Sequence, residues 1–202
     1  MSTDTSTTSE SFSDGVGIAG FWRFFYKIGD KPGSATFFAG GATKDYPSLD
    51  PVSWGFIPGE GLVDDKSKKP WDVALYLQQV FWQAENDDKR YAQLFTGGTW
   101  GNDDPNFSHW NIFANIEAFG PMASRANDRM GIAGYFNGLT RDFKHLTSDV
   151  GIGVRDLWGF EAYYNFEITP WMHLTGDIQL IENGRRGDST AVIPGVRLVV
   201  DF

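Results

Sequence analysis

The amino-acid sequence predicts an all-β chain whose strands belong to a transmembrane, antiparallel, up-and-down β-barrel. Three observations carry that prediction. The β-like segments are long, they alternate apolar and polar side chains with a period of two, and their connections alternate between short and long. About nine strands are expected.

Each segment is bounded by Gly, Pro, Asn or Asp clusters, the usual punctuation of strands. Residues 16–28 alternate Trp22 and Phe24 against Arg23 and Lys27. Residues 34–43 are small and aromatic. Residues 71–83 are less regular, with Leu75, Leu77 and Gln79 on one face and Tyr76, Gln78 and Val80 on the other. A helix is conceivable there, but a strand with a bulge is the reading adopted. Segments 91–100, 110–119 and 129–137 follow. The last three, 157–169, 171–181 and 190–202, alternate most cleanly. One face holds Trp158, Phe160, Ala162, Tyr164, Phe166 and Ile168, then Met172, Leu174, Gly176, Ile178 and Leu180, then Val192, Pro194, Val196, Leu198, Val200 and Phe202. None is charged, in a chain that is 21% charged overall. Chance alone gives that roughly 2 times in 100. Pro194 costs the last strand a ladder bond, which points to a bulge or a sheet edge.

Most segments run to about 9–13 residues, where soluble strands average about 5–6 and membrane-crossing strands need about 9–11. The connections 29–33, 84–90, 120–128 and 169–171 are mostly short; 44–70, 101–109, 138–156 and 182–189 include much longer ones. Short turns on one side and long loops on the other are typical of outer-membrane barrels. Trp100, Trp110, Trp158, Trp171 and Phe202 fall at segment ends, where aromatic girdles meet a bilayer interface. A bare terminal aromatic suits such an interface.

Composition narrows the function. Mean hydropathy is −0.31, which fits a barrel that averages its two faces as well as it fits a soluble chain. No run approaches 18 apolar residues, so no transmembrane helix is expected. A net charge of −9 argues against nucleic acid as partner. The absence of cysteine excludes thiolate metal sites and disulfides. Residues 1–15 read as a flexible polar segment without the features of a signal peptide, so an export signal is expected upstream.

The short motifs carry little. Gly15–Gly20 matches G-x-G-x-x-G, but strand-like FWRFFYK follows where a nucleotide site needs a helix. Arg186-Gly-Asp-Ser189 spells an adhesion tripeptide made of ordinary turn residues. His109 and His145 are expected in loops and His173 on the polar face, without metal-ligand spacing. Glu161 and Glu167 share a face but lie about 20 Å apart, too far for a glycosidase pair. No catalytic residue, metal or cofactor is expected.

The stretch GFEAYYNFEITPWMHLTGDIQLI (159–181), with its Tyr-Tyr-Asn strand and Thr-Pro-Trp turn, precedes a strand ending VRLVVDF. Together with GGATKDYPSLDP (40–51) and GYFNGLTRD (134–142), it resembles the carbohydrate-selective porins of the OprB type. The resemblance implies the C-terminal portion (16–202) of an outer-membrane sugar channel whose whole barrel has about sixteen strands. It also implies passive diffusion of carbohydrates, contact with outer-membrane lipid, and recognition by the barrel-assembly machinery through the strand ending in Phe202. On this reading the pore-lining, sugar-contacting candidates are Arg23, Lys27, Glu117, Tyr135, Glu161, Tyr163, Glu167, His173, Asp177 and Arg197. The alternative is a soluble β-barrel that binds a small ligand, with the apolar face turned inward; a surface adhesin is a third, weaker reading.

Overall fold

A computed structural model of the chain describes residues 15–58, 61–64 and 67–201. The expectations placed on residues 1–14 and on Phe202 lie outside the described residues. Nine long strands form one sheet in simple sequence order, every neighbouring pair antiparallel. They are β1 (Gly17–Ile28), β2 (Lys31–Ala42), β7 (Trp71–Ala84), β8 (Asp87–Gly101), β9 (Ser108–Phe119), β10 (Arg129–Leu139), β11 (Leu157–Thr169), β12 (Met172–Glu182) and β13 (Ala191–Val200). The sheet does not close. β1 and β13 are its two free edges, so the structure is part of a barrel. Pro194 sits in the edge strand β13, opposite Ile178, where its missing N–H is tolerated.

The strand expected to carry a bulge does. β7 slips register against β8 between Val80 and Trp82, so Phe81 has no partner on β8 and the alternation resumes one residue later. The long connections are more structured than their sequence foretells. Residues 43–70 contain two small strand pairs, β3 (Tyr46–Pro47) with β6 (Ser67–Lys68) and β4 (Trp54–Ile57) with β5 (Gly61–Asp64). The connection 138–156, read as a plain loop, holds helix α1 (Arg141–Asp149), whose N-cap Thr140 accepts from the Phe143 amide at 3.4 Å. His109 is likewise corrected. It lies at the start of β9, where its Nδ1 meets Asp103 at 2.5 Å, because β9 begins two residues earlier than its apolar pattern suggests.

The four long connections are tied to one another. Asp104 accepts from the Ser48 hydroxyl at 2.5 Å and the Leu49 amide at 2.7 Å. Thr140 donates to Asn106 O at 3.1 Å, and Arg155 bonds Glu182 at 2.7 Å. The rim is therefore a hydrogen-bonded row of loops along one end of the sheet.

The apolar side chains lie on the exposed side. Among the described residues only Ala74, Ala92 and Leu139 are buried hydrophobics. Along β9, Ile112 and Ile116 are 53% and 42% exposed, whereas Phe113, Asn115 and Glu117 between and beyond them are half-buried. Leu174 and Ile178 repeat the pattern on β12, whereas the edge strands β1 and β13 are exposed on both faces. A soluble barrel would do the reverse. At the long-loop end, Trp100 pairs with Trp110, and Trp110 stacks on Phe136 with ring centroids 5.2 Å apart. Phe136 in turn pairs with Trp158, completing an aromatic row on the apolar face.

Candidate functional site

Register decides what the polar face can assemble. Directly opposed residues share a face, and so do residues two apart on one strand. Arg23 is linked through Thr36, Tyr76, Gly97 and Phe113 to Tyr135. Glu117 is linked through Gly131 to Tyr163 and Asp177. Glu167 opposes His173, and Arg197 opposes Thr175. With Lys27 and Glu161 two or four residues along, all ten predicted residues share the polar face.

They are not one cluster. Glu117, Tyr163, His173 and Arg197 line a cavity of about 330 Å³, with Arg129, Asn165, Thr175 and Val199 completing it. Tyr135 and Glu161 line a second cavity of about 180 Å³, beside Phe113, Asn115 and Gln179. Glu167 and His173 join Lys89, Asp128 and Arg129 around a third, of about 310 Å³, towards the short-turn end. Asp177 accepts from Gln179 at 3.1 Å, and its carboxylate overhangs Gly195. Arg23 and Lys27 stand apart on the edge strand β1, where Arg23 Nε donates to Thr36 at 2.9 Å. Glu167 and His173 oppose each other without an ion pair among the described residues; the Glu167 carboxylate instead accepts from Asn127 at 2.8 Å.

Two tyrosines lie flat because glycines leave room beneath them. Tyr163 crosses Gly131 on β10 and donates its hydroxyl to Glu117 on β9 at 2.7 Å. Tyr135 covers Gly159 on β11 in the same manner. A Cβ at Gly131 would stand 2.6 Å from the Tyr163 ring, so only glycine allows this approach. Nearby, Tyr76, Phe95 and Phe113 form an aromatic patch on the polar face, with centroids 5.1–6.4 Å apart. Phe95 and Phe113 follow from the alternation. The glycine-backed tyrosines do not, because their signal is a cross-strand pairing and not a local pattern.

The 120–128 turn is fastened by Asp128, whose side chain is 1% exposed. Its carboxylate accepts from Arg125 at 2.7 and 2.8 Å, the Tyr164 hydroxyl at 2.6 Å and the Glu167 amide at 3.0 Å. Burial pushes the Asp128 carboxyl up, but the hydrogen bonds from Arg125, Tyr164 and Glu167 outweigh it and hold it below the usual carboxylate value. Arg125 also lies over the Phe166 ring at 3.6 Å. At the rim, burial raises Asp142, and the charges of Asp50, Asp104 and Asp103 raise it further. Among the described residues no group of three or more His, Cys, Asp or Glu could hold a metal.

A sheet that is polar on one face, apolar and exposed on the other, and open at both edges invites comparison with known barrels. The profile of the carbohydrate-selective porin, OprB family, matches residues 17–202. The chain belongs to the OprB family of carbohydrate-selective porins. OprB-family proteins are outer-membrane channels, not a family of enzymes. The high-pH structure of Pseudomonas putida OprB superimposes with a TM-score of 0.78 at 16% identity, covering 97% of this chain and 52% of that one. The low-pH structure of the same protein matches with a TM-score of 0.49 at 13% identity, over 90% and 55% of the two chains. No curated protein matches the sequence. The chain thus spans about half the length of the solved OprB porin.

Proposed function

We propose that this chain is the C-terminal part of an outer-membrane channel through which carbohydrates diffuse passively. The observation that carries the reading is the exposure of the apolar face, which has no energetic sense in water and every sense against lipid acyl chains. The polar face then lines a hydrated lumen. Along it the ten residues from Arg23 to Arg197 and the Tyr76–Phe95–Phe113 patch offer weak contacts: charged and amide groups for sugar hydroxyls, aromatic faces for the apolar face of a pyranose. Binding stays weak, because a solute held tightly does not leave.

Strand parity supports a missing complement. β1 and β13 both run from the long-loop end towards the short-turn end. Antiparallel seams on both edges require an odd number of further strands, and seven would complete a barrel of sixteen. Open edges in lipid are untenable, so these strands must pair. The export signal belongs upstream of them, and β13 with the C-terminal sequence that follows it is the part offered to the assembly machinery.

The test is purification of the native protein from outer membranes, its intact mass, and liposome swelling with mono- and disaccharides. A mass near twice that of this chain, with swelling faster for small sugars, is expected. A native chain that starts near Met1 and stays soluble would overturn the proposal.

A further inference from the structure

Arg129, Asn165, Thr175 and Arg197 are successive register partners on β10, β11, β12 and β13, so they form one straight row across the polar face. Three strand spacings put the two arginine Cα atoms about 14 Å apart. Between them the Asn165 amide donates to the Thr175 hydroxyl at 2.7 Å, making a neutral floor. All four line the 330 Å³ cavity. Neither arginine has a carboxylate partner among the described residues; Arg129 lies over the Phe119 ring, 4.9 Å away, and its charge acts on Tyr163. The cavity's own carboxylate, Glu117, is engaged by the Tyr163 hydroxyl. His173 Nδ1 is shielded from solvent and has no hydrogen-bond partner among the described residues.

We infer that this cavity is a subsite for acidic monosaccharides, sugars that carry a carboxylate beside their hydroxyls. The inference rests on the porin reading and gives its lumen a substrate class. An unpaired guanidinium is a planar fork that fits a carboxylate with two parallel hydrogen bonds. Glu117, which can only accept, suits sugar hydroxyls as donors, and Asn165 can both donate and accept. A neutral sugar finds the hydroxyl partners and leaves both arginines unused. A simple carboxylate finds an arginine and leaves the hydroxyl partners unused. An acidic sugar uses both sets.

The native protein is reconstituted in planar bilayers, and current block is titrated with glucuronate, glucose and acetate. Glucuronate should half-block at a concentration roughly tenfold below either control, the worth of one charge-assisted hydrogen bond at a wet site. In the double variant Arg129→Gln/Arg197→Gln the ratio of glucuronate to glucose affinity should collapse to within about twofold. If that variant does not insert, each single glutamine variant carries the same test, with a loss of about threefold in the ratio. Equal block by glucuronate and glucose, equal block by acetate, or a ratio unchanged in the variants would overturn the subsite while leaving the porin reading intact. A protein that conducts neither sugar nor ions would remove the porin reading and the subsite with it.

Discussion

Ala114 and Ala118 lie on the same strand and the same face, four residues apart, and they make a depth gauge. β9 has twelve residues, so at about 3.3 Å per residue and a tilt near 40° it rises about 30 Å across an apolar band of about 25 Å. Ala114 then sits near the bilayer midplane and Ala118 about 10 Å nearer the short-turn interface. Arginine facing lipid costs about 2–4 kcal/mol at the midplane and about 0–1 kcal/mol near the interface. Ala114→Arg should therefore destabilise the native protein by about 2–3 kcal/mol more than Ala118→Arg, a factor of roughly 30–150 in the folding equilibrium. Asn115→Arg, one residue away on the polar face, should cost under about 1 kcal/mol. The assay is reversible denaturant unfolding in lipid vesicles, followed by tryptophan fluorescence. Equal costs at 114 and 118, or a cost at 115 matching that at 114, would refute the assignment of faces.

Three further outcomes follow from the site. Asp128→Asn removes a charged acceptor from four hydrogen bonds and should cost about 2 kcal/mol in the same unfolding assay. Because the folded-state pKa of Asp128 is depressed, its contribution is fully present above the unfolded value of about 3.9 and is lost as pH falls through the folded value; wild type should lose this increment below about pH 4, and the asparagine variant should not. Gly131→Val should drive Tyr163 off Glu117, changing single-channel conductance at a cost of about 1–3 kcal/mol in stability; an unaltered conductance would remove the glycine-backed tyrosine from the account. Asp104→Ala cuts the bonds to Ser48 and Leu49 and should speed proteolysis within 43–70 while leaving the strands protected.

The sheet was legible because its information is local. Period-two alternation and turn residues locate all nine long strands, and 157–169 is matched residue for residue. Boundaries drift where charge mimics a turn. Asp87–Arg90 reads as a loop yet opens β8, and Lys31–Gly33 reads as a turn yet opens β2. Helix α1 did leave a trace, Thr140 followed by Asp142 in the first turn, but nine residues inside a long connection give too short a pattern to outweigh it. The row of linked loops, the Asp128 knot and the Arg129–Arg197 row join residues far apart in sequence, so no local pattern could reveal them. The polar face was read correctly as a face. Its division into separate cavities depends on which side chains lean over glycines.

These 202 residues hold no cysteine, so one introduced on β9 is unique among them, and a scan of single cysteines from 111 to 117, read by mass spectrometry of the β9 peptide, tests the central claim most directly. A charged, water-soluble thiol reagent should label positions 111, 113, 115 and 117 in native membranes. A lipid-soluble reagent should label 112, 114 and 116. The opposite phase, or uniform labelling along the strand, would contradict a lipid-facing apolar surface and a water-filled polar one.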